Sequence, residues 1–308
     1  MAFSIDSRGL SLGLFLPLAA YRGAVPDMQG HLERALQAES LGFRALWFRD
    51  VPLQVPGFGD VGQIHDPWVY MAYLAARTER IGLAAGSIIL PLRHPIHTAK
   101  SAASIDVLSQ GRVALGVASG DRPEEFPAFG RDLRKRSELF RQSFASVRTL
   151  WQESFPVIDA PEFGHLDGTA GLLPKPWHRS TIPMYVTGHA GQDLDWIARH
   201  ADGWIYFPLG LKALQGRMLQ YRAALDRQNQ PRKPYLQSLY IDLLEDPGAD
   251  PEPIHLGFRC GRRFLLDHLK RLEVMGVNHV MLVLRFCSRP IEEVIEEIGR
   301  EVLPHCER

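Results

Sequence analysis

One junction recurs five times along the chain: a helix-like stretch, a glycine, then an apolar run of strand length. It stands in "SLGFRALWF" (40–48), "ERIGLAAG" (79–86), "SQGRVALGVA" (109–118), "HADGWIYF" (200–207) and "VMGVNHVMLVL" (274–284). A glycine there lets a helix stop, because the residue after its last turn commonly adopts a left-handed conformation that side chains reach only at a cost. The repeating unit is helix, glycine, buried strand.

The apolar runs show no polar alternation, as expected of a parallel sheet covered by helices. "LGLFLPL" (12–18) and "IPMYVTG" (182–188) add two more, and "YLQSLYIDLL" (235–244) is a weaker eighth. Helical periods lie between them: Leu133, Phe140, Phe144, Val147 and Trp151 share one stripe, and Pro290 precedes Ile291, Val294, Ile295, Ile298 and Val302. Eight such units close most economically as a (β/α)8 TIM barrel, and 308 residues suit a single α/β domain over 1–308 with inserted loops. An open doubly wound sheet would carry G-x-G-x-x-G after its first strand, where this chain has "PLAAYRGAVPD". Walker, H-E-x-x-H and G-x-S-x-G motifs are absent too.

Thirty-five basic and 35 acidic side chains balance, which argues against nucleic acid or a membrane surface as partner. Three unpaired-looking cysteines, Cys260, Cys287 and Cys306, fit a reducing cytoplasm better than a disulfide framework or a thiolate metal site. "LSLGLFLPLAA" (10–20) has the composition of a signal-peptide core, but a buried first strand reads the same and is preferred. No apolar run reaches membrane-spanning length. Two stretches, 50–65 and 153–181, exceed ordinary connections. The first follows a strand, so it should lie on the catalytic face of a barrel as a lid, and the second should carry small structure of its own.

In a barrel the strand ends carry the site. The rims are then Arg49 and Asp50 after strand two, and Gly86 and Ser87 in strand three with Arg93 and His94 beyond. Ser119, Gly120, Asp121 and Arg122 follow strand four, "TGHAGQD" (187–193) follows strand five and Arg285 follows strand eight. The glycine-containing turn at 187–193 leads into a helix and suits a phosphate, but Gly188 and Gly191 could equally just make the turn while Asp193 caps the helix. His94 and His97 have a metal-compatible spacing without a third ligand, so no metal is expected. Glu124, Glu125 and the basic run 131–136 read as solvated surface.

The segments "AESLGFRALWFRD", "TERIGLAAGSIILPLRHPIHTAKSAASIDVLSQGRVALGVASG", "EEFPAFG" and "PMYVTGHAGQDLDWIARHADGW" together resemble the bacterial luciferase-like flavin monooxygenases. The order P-x-x-x-A-K-x-x-x-x-x-D-x-x-S-x-G-R is the specific part, and the last hundred residues match more loosely. The resemblance implies a barrel holding FMN, or alternatively a deazaflavin, and a homodimer. It places the flavin ring against Ala85, Gly86 and Ser87, beside Ala118, Ser119 and Gly120. The phosphate falls on the turn Thr187, Gly188, His189, Ala190, Gly191 and Gln192. It further implies an oxidoreductase, foremost a monooxygenase acting with molecular oxygen on a small organic substrate, with a flavin reductase as possible supplier. The alternatives are a deazaflavin hydride-transfer enzyme, a non-catalytic flavin binder, and a non-redox enzyme for a phosphorylated substrate. The histidine that the family commonly has at the end of strand two is missing from "WFRDVP". Arg93 and His94, then Arg49 and Asp50, are the candidate catalytic groups in its place.

Overall fold

In the computed structural model, which describes residues 2–306, eight strands form a closed parallel barrel. They are β1 (Ser11–Phe15), β2 (Ala45–Phe48), β3 (Gly82–Ile89), β4 (Val113–Ala118), β5 (Met184–Thr187), β6 (Gly203–Tyr206), β7 (Tyr235–Leu243) and β8 (His279–Val283). Each pairs with the next and β8 returns to β1, with Ser11 opposite His279. The helices are α1 (His31–Leu41), α2 (Pro67–Ala75), α3 (Pro95–Leu108), α4 (Arg136–Gln152), α5 (Leu194–His200), α6 (Leu211–Arg227), α7 (Arg262–Met275) and α8 (Ile291–Glu297). Segment 153–181 does carry its own structure, a hairpin of Val157–Ala160 and Gly164–Asp167.

The lack of alternation in the strands has a direct cause, because alternate residues enter two separate cores. Ala45, Trp47, Ala84, Ala114, Tyr185, Ile205 and Met281 fill the barrel, whereas Leu46, Phe48, Leu83, Leu115, Val186 and Leu282 meet the helices. Phe3 and Ile5 plug the bottom, where the Ile5 amide donates to the Tyr185 hydroxyl at 3.0 Å. Inside, the Trp47 indole donates to His279 Nε2 at 2.9 Å, and Ser11 Oγ lies 2.8 Å from Nδ1.

The junction glycines divide into two kinds. Gly42 and Gly276 end α1 and α7 with φ of 93° and 99°, as the helix-stop argument requires. Gly82 and Gly203 lie within strands instead, where an added Cβ would fall 2.3 Å from the Phe3 ring and 2.7 Å from the Pro234 carbonyl. Leu133 lies in a 3-10 turn before α4 rather than in the helix, while Phe140, Phe144, Val147 and Trp151 are its buried stripe.

The specific motif of α3 and β4 builds scaffold at the bottom of the barrel. Arg112 is buried and donates to the carbonyls of Ala75, Thr78, Ile81 and Ser109 and to the Thr78 hydroxyl, closing the end of α2. Asp106 pairs with Arg179 and accepts from the Trp177 amide at 2.9 Å. No helix among the described residues is long and apolar enough to cross a membrane.

Candidate active site at the barrel mouth

At the opposite, C-terminal rim the inward positions turn polar or small. The Arg49 guanidinium, just past β2, lies 4.9 Å over the Phe15 ring, 3.3 Å from the Tyr240 hydroxyl and 2.5 Å from Asp60. Asp60 belongs to the long loop and also takes the Tyr21 hydroxyl at 2.9 Å and Arg285 at 3.0 Å. Its carbonyl accepts from Arg122 at 3.3 Å. Gln63, buried in the same loop, brackets the Arg49 backbone, accepting its N–H at 2.9 Å and donating to its carbonyl at 2.7 Å. Residues 50–65 are thus buckled across the mouth, tied to the exits of β1, β2, β4 and β8. Burial alone would push the Asp60 carboxyl up, but the Arg49 charge, the Gly62 amide and the Tyr21 hydroxyl outweigh it and hold it below the ordinary carboxylate value.

Asp50 is buried and receives Arg93 through two bonds of 2.8 and 2.6 Å, together with the Ile89 amide at 3.1 Å. Arg93 also reaches Asp66, 2.9 Å away, whose carboxylate caps α2. His94 accepts the Ile96 amide on Nδ1 at 3.3 Å, capping α3, and its Nε2 is 2.8 Å from the Phe163 carbonyl. That arrangement selects the neutral Nε2–H tautomer. Arg93 Nε and Nη2 and both His94 ring nitrogens are therefore already engaged in the frame of the rim. No group of three or more metal-binding side chains exists among the described residues.

The β3–β4 register breaks between Ala85 and Ile88, and the Gly86–Ser87 peptide there is cis. Ala85 faces the helices, Gly86 lies over Phe15 and Trp47, and Ser87 Oγ is 2.5 Å from Thr187 Oγ1. Ala118, half-buried, and Ser119, buried, lead to Gly120, whose φ of 85° turns the chain against Ile89 and Phe126.

After β5, Gly188, Ala190 and Gly191 adopt φ of 60°, 48° and 73°. Gly188 and Gln192 donate their amides to Ile205 and His189, but those of His189, Ala190 and Gly191 make no hydrogen bond among the described residues. Such a run of free amides forms a concave anion seat. The space beside Gly188 is open, with no atom within 4 Å of an added Cβ. Gln192 is buried and held by Arg141 at 2.7 Å, Asp193 caps α5, and His189 lies 3.4 Å from Arg217 of α6.

A family model described as luciferase-like monooxygenase matches residues 11–240. The chain belongs to that family. An uncharacterized Mycobacterium tuberculosis protein is 35% identical over 204 residues, 61% of this chain and 69% of its own. An F420-dependent secondary alcohol dehydrogenase, solved with an F420–acetone adduct, shares the fold at TM-score 0.79 and 18% identity, covering 97% of this chain and 100% of its own. The oxygenating constituent of 3,6-diketocamphane monooxygenase of Pseudomonas putida, solved with FMN, gives 0.75 at 16%, over 96% and 98%. The likeness to these two structures shows the fold that this luciferase-like chain shares with proteins solved with either cofactor kind.

Four residues of the luciferase-like mouth escape sequence reasoning: Asp60, Tyr240, Arg217 and Glu125. Nothing local marks Tyr240 or Arg217, which reach the site from β7 and α6. Asp60 had a weak signal as the lone carboxylate amid the glycines of its loop. Glu125 overturns an expectation, because only Glu124 is solvated; Glu125 is 1% exposed, with Oε1 buried and unbonded among the described residues. It follows Arg122 by three positions and so turns inward with the short helix Glu125–Ala128. Burial pushes its carboxyl up, against the pull of Arg122. An acid raised in the folded state stabilises less once pH exceeds its unfolded value. Glu125→Gln should therefore gain stability over the wild type as pH rises from about 4 towards neutrality. Thermal unfolding at stepped pH checks this, and parallel curves would refute it.

Proposed function

We propose that the protein is a flavin-dependent monooxygenase that seats FMN across the barrel mouth. One observation carries the reading: a free-amide turn with an adjacent arginine stands beside a floor of small residues on the neighbouring strands. The 189–191 amides and Arg217 suit a phosphate, and Gly86 and Ala118 let a flat ring approach the backbone. Reduced flavin supplies the two electrons with which one oxygen atom enters the substrate and the other leaves as water. The chain's own contribution is to orient and to keep dry. Ser87 and Thr187 offer hydroxyls beside the ring position, Arg49 and Tyr240 offer donors opposite them, and the Asp60-buckled loop excludes water. Asp50 with Arg93, and His94, position the rim rather than react.

Titration with FMN and riboflavin tests the phosphate seat. The protein should bind FMN at least tenfold more tightly than riboflavin, and Arg217→Ala should weaken FMN by about 10- to 100-fold while leaving riboflavin unchanged. Equal affinity for both ligands would remove the seat. The F420-dependent relative supports a second reading, hydride transfer with a deazaflavin. Selective F420 binding without oxygen uptake would reverse the choice.

A further inference from the structure

A cavity of about 600 Å³ opens at the rim beside the Arg49–Tyr240 pair, bounded by the exits of β1, β7 and β8 and by the hairpin Glu252–Ile254 and Gly257–Cys260. Tyr240 joins the two regions, since its ring lies 5.4 Å from Phe286 and 5.6 Å from His255, both in the cavity wall. The size is that of a small-molecule pocket.

Its polar groups are unbalanced. Asp242, the carboxylate in the wall, is buried and fully engaged: one oxygen accepts the Ser288 amide and hydroxyl at 2.8 and 2.9 Å, the other takes Arg259 at 2.8 Å. Asp60, behind Arg285, is filled by its own donors. Donors, by contrast, are left over. Arg22 makes no hydrogen bond or ion pair among the described residues, and His255 makes only the ring contact with Tyr240. The Arg285 guanidinium lies over Tyr21 at 4.6 Å and Phe286 at 5.5 Å, so flat apolar surface borders the free donors. A free guanidinium and a free imidazole over aromatic walls match an acceptor-only charged group carried on a flat body.

We infer that this cavity is the substrate pocket and that it takes an organic carboxylate with an aromatic or flat apolar body. The assignment of the cavity to substrate rests on the proposed flavin reading; the ligand class rests on the cavity itself.

Binding is measured by calorimetry on the full chain without flavin, using 3-phenylpropanoate, its neutral amide 3-phenylpropanamide, and inorganic phosphate. The carboxylate should bind at least tenfold more tightly than the amide, and raised salt should weaken only the carboxylate. Arg22→Gln, an exposed position that leaves folding intact, should reduce the preference to under threefold. Equal or better binding of the amide would overturn the proposal. So would a preference that survives in both Arg22→Gln and His255→Gln, or phosphate binding as tightly as the carboxylate. Because no flavin is present, these results stand apart from the FMN–riboflavin comparison, and either reading can fail alone.

Discussion

Asp60→Asn should destabilise the protein by about 3 kcal/mol and release residues 50–65 from the barrel mouth. The carboxylate faces two guanidinium groups, Arg49 and Arg285, whose side chains are only 17% and 16% exposed, and its own is 12% exposed. An amide cannot neutralise them, so two buried cations lose their counter-charge while the Tyr21 hydroxyl keeps an acceptor. Burial this deep keeps solvent from screening the loss away. The readouts are urea unfolding and limited proteolysis, with new cleavage expected between residues 50 and 65. A change below about 0.5 kcal/mol with an unaltered digest would show that the loop is held by other means. The pH dependence has a definite sign. Because the folded value of Asp60 lies below the unfolded one, its contribution is complete above the unfolded value near 4 and is lost as pH falls through the folded value.

Acid should act on the barrel core through His279. Complete burial, with a smaller push from Arg44, lowers its folded value to about 3. The folded state keeps the ring neutral, with Nε2 accepting from Trp47, while the unfolded chain takes up a proton below about 6.5. Stability from this group is therefore full above 6.5 and falls as pH drops towards 3, by roughly 5 kcal/mol over that window. In His279→Gln, whose amide oxygen can still accept from Trp47, the slope of stability against pH between 6.5 and 4 should flatten markedly. An unchanged slope in the variant would assign the acid sensitivity to other groups, first to the buried His31, whose value burial also lowers.

How far the residues alone reach differs from element to element. The eight strands were legible because burial on both faces leaves a local mark, an unbroken apolar run, and every one of the eight runs became a barrel strand. The turn 187–193 was legible as well, since positive φ at Gly188 and Gly191 demands a residue type that sequence displays. The charged rim was not. Arg93 and His94 stood out as candidate catalytic groups beside a flavin, yet they bind Asp50, Asp66 and the Phe163 carbonyl, partners 27 to 69 positions away in sequence. Glu124 and Glu125 are identical in type and adjacent, and only the direction of a one-turn helix decides which is wet.

The chain by itself determined the barrel, its order of strands and the place where an anion seat could form, because periodicity and backbone conformation are properties of neighbours in sequence. The tertiary structure decided what the charges do. It joined Asp60 to Tyr21, Arg49 and Arg285, brought Arg217 to the turn after β5, and left Arg22 without a partner among the described residues in the cavity that Asp242 also lines. Closing a barrel brings eight distant strand ends onto one rim, and the strength of a charge pair depends on separation and burial, which no local pattern records.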